Sequence, residues 1–350
     1  VTVADLTERQ LIQRIADRLQ PPPDWLTVGI GDDAAVVEPE RNRLEVLSVD
    51  AIVEGVHFDR RYTPPDAIGH RALAVNLSDL AAMGASPRLA LLSFVLPPEL
   101  SRDDFDAVVS GLAGLALRHR LHVVGGNLTR SPGPLMIDVT VVGTIKRRQV
   151  LRRAGARPGD GVYVSGSVGA AAAGLGMLRR GVGIRPEGRV EPLPGQQSGD
   201  RDPCVQRYLY PEPRVRLGLL LGRNRVASAC MDLSDGLADG VRQIAEASGV
   251  GIIVEAGMVP VDPGARAWFD AHPDGTGDAL VKAIAGGDDY ELVFTAPRRT
   301  AGQLRAAAAR ANVALTRIGF CTPAPDLILR RLHDGRPIDD TIPPGFKHFG

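Results

Sequence analysis

The residues of this sequence with chemistry to explain are aspartates set in apolar surroundings. GIGDDAAVV places Asp32 and Asp33 side by side between glycine and an apolar run. Asp50 closes the strand-like LEVLSVD, and Asp79 falls inside ALAVNLSDLAAMGA. Asp232 and Asp235 occur in CMDLSDGL, Asp288 and Asp289 in IAGGDDYEL, and none of them has Lys or Arg beside it. One such aspartate reads as a helix cap or a turn: Asp235 fits a cap for the helix after it, and Asp289 fits a turn. As a set they point to a shared cationic partner, because adjacent carboxylates repel and desolvating either one unpaired is costly. The only lysines are Lys146, Lys282 and Lys347, all outside these stretches. Arginine accounts for one or two of the acids. A hard divalent cation suits the rest: Mg²⁺ takes oxygen ligands, keeps several waters, and is held by one or two carboxylates plus substrate phosphates. No His-rich or Cys-rich cluster signals zinc or copper.

Magnesium with phosphate points to nucleotide chemistry, yet the sequence lacks GxxxxGK[ST] and the HRD and DFG set of protein kinases. Glycine-rich backbone amides at Gly125, Gly126, Gly286 and Gly287, with a few arginines, remain as a phosphate cradle. His57, in VEGVHF, fits either a structural histidine or a substrate contact. The aromatic of GFKHF, Phe346, fits either tail packing or stacking on a cationic ring.

A length of 350 residues accommodates two domains. Lys+Arg and Asp+Glu are equal at 41 each, so no net field draws the chain to nucleic acid or an acidic membrane. Three scattered cysteines without CxxC spacing fit a reducing, cytoplasmic setting. Asp5, Glu8 and Arg9 stand where a signal peptide would be apolar, and runs such as LALLSFVL are far shorter than the ~20 residues of a membrane span.

The elements that must position the acids alternate. A helix is expected to begin at Thr7, with Gln10 completing a capping box. Strand-like runs follow at 44–49, 89–96, 121–124 and 135–142, with helices at 67–83 and 102–118 behind a Ser101 cap. A boundary is expected near KRRQVLRRAGARPGD, dividing residues 1–145 from 146–350. Beyond it lie a strand at 162–165, a helix at 169–180, and a stretch at 181–213 whose Gly, Pro and charge read as a long loop. Helices from about 213, at 235–247 and at 303–311, and strands near 251–255, 290–295 and 327–332, complete an α/β to α+β pattern.

Together GIGDDAAVV, LSVDAIVEGVHF, ALAVNLSDLAAMGASP, GGN, RRAGARPGD, DLSDGL, GGDDYEL and GFKHF, in this order across nearly the whole chain, resemble the thiamine-monophosphate kinase family. The resemblance implies a two-domain fold like that of aminoimidazole ribonucleotide synthetase. In that fold the N-terminal domains of a homodimer pair into a β-barrel, and ATP and several Mg²⁺ lie in a cleft. It implies metal ligation by Asp33, Ser48, Asp50, Asp79, Asn127, Asp232 and Asp235. It implies nucleotide contacts from Gly126, Asn127, Arg153 and Ser234, and contacts to thiamine monophosphate from His57, Asp288 and Phe346. The implied reaction is ATP-dependent phosphorylation of thiamine monophosphate to thiamine diphosphate, with no catalytic side chain beyond the metal scaffold. The alternatives are a non-catalytic or divergent binding paralogue, or another ATP-dependent enzyme of the superfamily. This chain departs from the family pattern at Asn127 (aspartate in many relatives), Asp288 (glutamate), Val49 (threonine) and Phe346 (tyrosine).

Overall fold

A computed structural model describes residues 1–181 and 202–345. Phe346 and most of the expected loop at 181–213 therefore lie outside the described residues. The first half runs α1 (Glu8–Ala16), β1 (Leu26–Val28), β2 (Val36–Val37), β3 (Leu44–Val53), α2 (Pro65–Ala82), β4 (Ser86–Leu96), α3 (Arg102–His119), β5 (His122–Arg130) and β6 (Met136–Ile145). Next come β7 (Gly161–Ser165), α4 (Ala170–Arg179), α5 (Pro203–Leu209), α6 (Val215–Asn224), β8 (Ala229–Asp232), α7 (Leu237–Ser248) and β9 (Gly251–Glu255). The chain continues through α8 (Pro263–Ala271), α9 (Ala279–Ala285), β10 (Leu292–Ala296), α10 (Ala301–Ala311), β11 (Leu315–Thr322), β12 (Leu327–His333) and β13 (Arg336–Thr341).

Local signals placed many of these starts. Gln10 Oε1 accepts from the Thr7 amide at 2.8 Å, and Thr7 Oγ1 accepts from the Gln10 amide at 3.4 Å, closing the capping box of α1. Ser101 Oγ accepts from the Asp104 amide at 2.9 Å and caps α3. Three expectations need correction. Asp50 does not end β3: the strand pairs with β6 on to Val53, with Asp50 opposite Val139. The strand expected at 121–124 does not stop there: Gly125, Gly126 and Asn127 lie within β5, which pairs in parallel with β4 on to Arg130. A Cβ at Gly126 would fall 2.0 Å from the Leu92 carbonyl oxygen, so only glycine fits there. The stretch at 181–213 is not all loop, since α5 forms behind an Asp202 side-chain cap with Pro203 in its first turn.

Strand order is β3-β6-β4-β5 in one sheet and β13-β12-β9-β11-β7-β10-β8 in the other, with β1 and β2 paired apart. One face of the four-stranded sheet buries Ile52, Leu92, Phe94, Ile137, Val139 and Val141. The opposite face leaves Leu47, Val49 and Leu91 exposed. Helix α2 packs against β3, β6, α3, α6 and β8 together. It is buried almost all round, which is why its sequence is apolar on every face and shows no single stripe. Through α2 one core joins the two sheets, with Tyr290, Leu292 and Phe294 packed into the cluster that contains Leu73, Leu77 and Leu80.

Candidate active site

A polar group on a helix buried on all sides is costly unless something meets it, and α2 carries two such groups at its C-terminal end. Ser78 Oγ donates to Asp232 Oδ2 at 2.7 Å, at the end of β8. Ser48 Oγ, on β3, donates to Asp79 Oδ2. Strand alternation puts Ser48 and Asp50 on the face of β3 that looks toward α2. There the Asp50 and Asp79 carboxyls lie near enough for each to shift the other's pKa. Three segments far apart in sequence thus bring Asp50, Asp79 and Asp232 to one place.

The electrostatics follow from that crowding. Asp50 stays open to solvent, yet partial desolvation, then the charge of Asp79, pushes it up to about 7. Burial and Asp79 likewise push Asp232 up to about 7, against the opposing pull of Ser78 and Arg153. Burial raises Asp79 as well, with Ser48 and Arg153 working the other way. Arg153 is held by Gln243 Oε1 at 2.6 Å, near enough for its charge to act on both Asp79 and Asp232. The donors are hard oxygens with more negative charge than one arginine balances, which fits a hard divalent cation. Among the described residues no three His, Cys, Asp or Glu side chains already converge as a chelate.

A second group of residues lies beside the first. The DLSDGL and GGDDYEL segments are joined through their main chains: Leu233 donates to Glu291 O at 2.8 Å, Asp288 to Ser234 O at 2.8 Å, and Tyr290 to Leu233 O at 3.0 Å. Gly236, with φ +94°, caps α7 in place of the expected Asp235, and a Cβ there would meet Gly286 O at 2.5 Å. Ser234 and Asp288 are thereby held side by side. Asp288 Oδ1 accepts from Arg71 Nη2 and from the Tyr290 hydroxyl, both at 3.1 Å. Burial works against the Arg71 charge, yet Asp288 and the neighbouring tyrosines hold its pKa above the ordinary arginine value.

The remaining acids of GGDDYEL are structural. Asp289 does more than end a turn: it accepts from the Gly169 and Ala171 amides at 2.7 and 3.3 Å, fixing the N-terminus of α4. Glu291, fully buried, accepts from Arg207 at 2.6 Å, from Ser165 at 2.5 Å and from Arg214.

The other expected residues sit as follows. His57 Nδ1 accepts from the Val53 amide at 3.1 Å, so the neutral ring carries its hydrogen on Nε2. The Tyr208 hydroxyl holds the His57 carbonyl at 3.3 Å. Asp33 is exposed on the loop after β1, where its amide donates to Asp32 Oδ1 at 2.8 Å. Asn127 lies opposite Ser93, on the outward face of β5, and donates to Thr129 Oγ1 at 2.9 Å. The fold of one chain does not bring the Asn127 side chain to Asp50 and Asp79. Gly126 lies on the inner face, opposite Leu92. Sequence reasoning missed Ser78 and Arg71. Helical spacing was the available signal, since Arg71 stands seven and eight residues before Ser78 and Asp79, two turns away on one face.

Comparison with known proteins bears on this geometry. Residues 31–145 match the AIR synthase related protein N-terminal domain, and residues 157–330 match the C-terminal domain. The chain is 36% identical over 343 residues to thiamine-monophosphate kinase of Salmonella typhimurium, covering 98% of each. Its fold is similar to that of thiamine-monophosphate kinase from Stenotrophomonas maltophilia K279a, with TM-score 0.79, 38% identity, and 93% and 96% of the two chains covered. It is also similar to AaThiL complexed with AMPPCP and TMP, with TM-score 0.70, 30% identity, and 100% and 99% covered.

Proposed function

The chain belongs to the thiamine-monophosphate kinase family of AIR synthase related proteins, and from that premise we propose that it transfers the γ-phosphoryl group of ATP to the phosphate of thiamine monophosphate, releasing ADP and thiamine diphosphate. The observation that carries this reading is the placement of Asp79 between Asp50 and Asp232, with the charge of Arg153 acting on Asp79 and Asp232. The relative solved with AMPPCP and TMP supports the pairing of an ATP-like ligand with the acceptor.

The acceptor is a phosphate monoester whose second pKa is about 6, so its attacking oxygen is already ionised at neutral pH and needs no general base. What opposes reaction is the approach of one anion to another. Asp50, Asp79 and Asp232, with Ser48, are the residues that would hold Mg²⁺, with Asp33 and Asp235 at the margins, whereas Asn127 of the same chain lies on the opposite sheet face. Bound there, Mg²⁺ supplies charge neutralisation for the phosphates in an in-line transfer. Ser48 and Ser78 hold the carboxylates in register for that task. Arg153 adds positive charge beside Asp79 and Asp232, and with Gly126, Asn127 and Ser234 it would meet the nucleotide. His57, turned by the Val53 amide, and Asp288, turned by Arg71 and Tyr290, would meet the thiamine moiety, with Phe346 as the expected stacking partner.

A homodimer completes the reading. The exposed Leu47, Val49 and Leu91 share the outer sheet face with Asn127. Pairing two such faces into a barrel would bury them and enclose Asn127, in line with a division of the chain into residues 1–145 and 146–350. No helix among the described residues is long and apolar enough to cross a membrane, and the three cysteines are free and buried, which supports a cytoplasmic setting. The test is ADP release by the purified protein across a Mg²⁺ titration. ADP should form with thiamine diphosphate only when thiamine monophosphate is present. ATP binding without turnover would overturn the reading in favour of a binding paralogue.

A further inference from the structure

We propose that Arg71 is the positioning residue for Asp288: it orients this carboxylate so that its outward oxygen receives the cationic heterocycle of thiamine monophosphate. The proposal rests on the assignment of Asp288 to that substrate made above.

Arg71 is 2% exposed, so it cannot touch substrate itself. Burying a guanidinium is costly unless its donors are used. Here they tie two segments together. Nη1 donates to the Tyr208 carbonyl at the end of α5, and Nη2 donates to Asp288 Oδ1. The guanidinium carbon lies 4.5 Å from the centre of the Tyr208 ring. Nε is buried without a partner, so the side chain is set by these two segments and not by satisfying all of its own donors.

The loop it holds is strained. Asp288 and Tyr290 have φ of +70° and +50°, a region that disfavours residues with a Cβ. Such a shape persists only where neighbours over-determine it. Main-chain bonds from Asp288 and Tyr290 to Ser234 and Leu233 fix the backbone. The Arg71 and Tyr290 bonds fix the side chain, and both fall on Oδ1. The Asp288 side chain is still 31% exposed, so the acceptor offered outward is Oδ2. A forked guanidinium spans Tyr208 and Asp288 at once, whereas a lysine ammonium reaches one of them well. Two turns along the same helix stand Ser78 and Asp79, so α2 sets the spacing between the acceptor's ring and the phosphates, about 10 Å apart along its axis.

The experiment is steady-state kinetics on Arg71→Gln, Arg71→Lys, Asp288→Asn and the Arg71→Gln/Asp288→Asn double variant, with Tm measured for each. The expected result for Arg71→Gln is a KM for thiamine monophosphate raised about tenfold or more, with the KM for ATP and kcat within about twofold. Arg71→Lys should fall between wild type and Arg71→Gln, and the double variant should be no worse than Asp288→Asn alone. If Asp288→Asn raises that KM and a folded Arg71→Gln does not, the positioning role is overturned and the Asp288 assignment stands. If Asp288→Asn leaves it unchanged, the assignment fails and the positioning role fails with it. Equal rises in both KM values would reduce Arg71 to a general structural residue and overturn the proposal. Should Arg71→Gln not fold, Arg71→Lys and Tyr290→Phe decide. Each loosens Oδ1, and no selective rise in either overturns the proposal.

Discussion

Ser78 Oγ donates to the Asp232 carboxylate at 2.7 Å, tying α2 to the end of β8 across 154 residues of chain. The next residue of the helix, Asp79, is met from the other side by Ser48 of β3. One turn of a buried helix is thus the point at which the two sheets present their acids to each other. Disturbing any member should affect catalysis far more than folding.

Asp232→Asn keeps an acceptor for Ser78 and removes one of the mutually repelling charges. The expected outcome is a loss of about two orders of magnitude or more in kcat/KM, the scale of removing one electrostatic stabiliser from an active site. The Tm of the metal-free protein should hold or rise. Asp50→Asn should behave alike. Wild-type rates in both variants would remove these residues from the metal site.

The same crowding gives a pH dependence. Asp50 and Asp232 stand at about 7 in the fold, against 3.8 when unperturbed. Between those values the folded chain keeps protons that the unfolded chain has released, so stability falls as pH rises through that window. Magnesium must displace the same protons, so it should raise Tm more at about pH 8 than at about pH 6. Calorimetry with EDTA or with Mg²⁺ at both pH values tests this, and a Mg²⁺ effect independent of pH would contradict it.

Gly236→Ala places a methyl 2.5 Å from the Gly286 carbonyl oxygen at a φ of +94°. The expected cost is about 1–3 kcal/mol or more, seen as a lower Tm. Because Ser234 and Asp288 are joined at this crossing, the KM values for ATP and thiamine monophosphate should rise together. An unchanged Tm would mean that the crossing yields more readily than its geometry implies.

Leu47→Glu puts a charge at a position 66% exposed in the single chain. If two sheets pair through this face, burying that charge is prohibitive, and sedimentation should show the variant as a monomer where the wild type is a dimer. A monomeric wild type would remove the dimer.

Much of the site was legible in residue types. Aspartates in apolar runs without basic neighbours pointed to a cation, and the structure sets Asp79 between Asp50 and Asp232. Less legible were their partners. Arg71 was hidden because α2 is buried all round, so nothing in its apolar pattern marks one face as facing Asp288. Asp289 looked like its neighbour Asp288, yet one serves the N-terminus of α4 and the other, part-exposed, meets Arg71. At a tight turn, adjacent side chains leave in different directions.

The sequence by itself determined the kind of chemistry and the order of the elements, because charge, propensity and capping act over a few residues. Thr7 with Gln10, Ser101, and the apolar run around Asp79 needed no distant information. Tertiary structure alone decided which acids share a site, that Asn127 faces outward, and that Arg71 rather than a lysine answers Asp288. Those outcomes depend on strand register and helix packing between segments from 31 to 217 residues apart. A one-residue slip in β5 would turn Asn127 inward, and no local pattern fixes that choice.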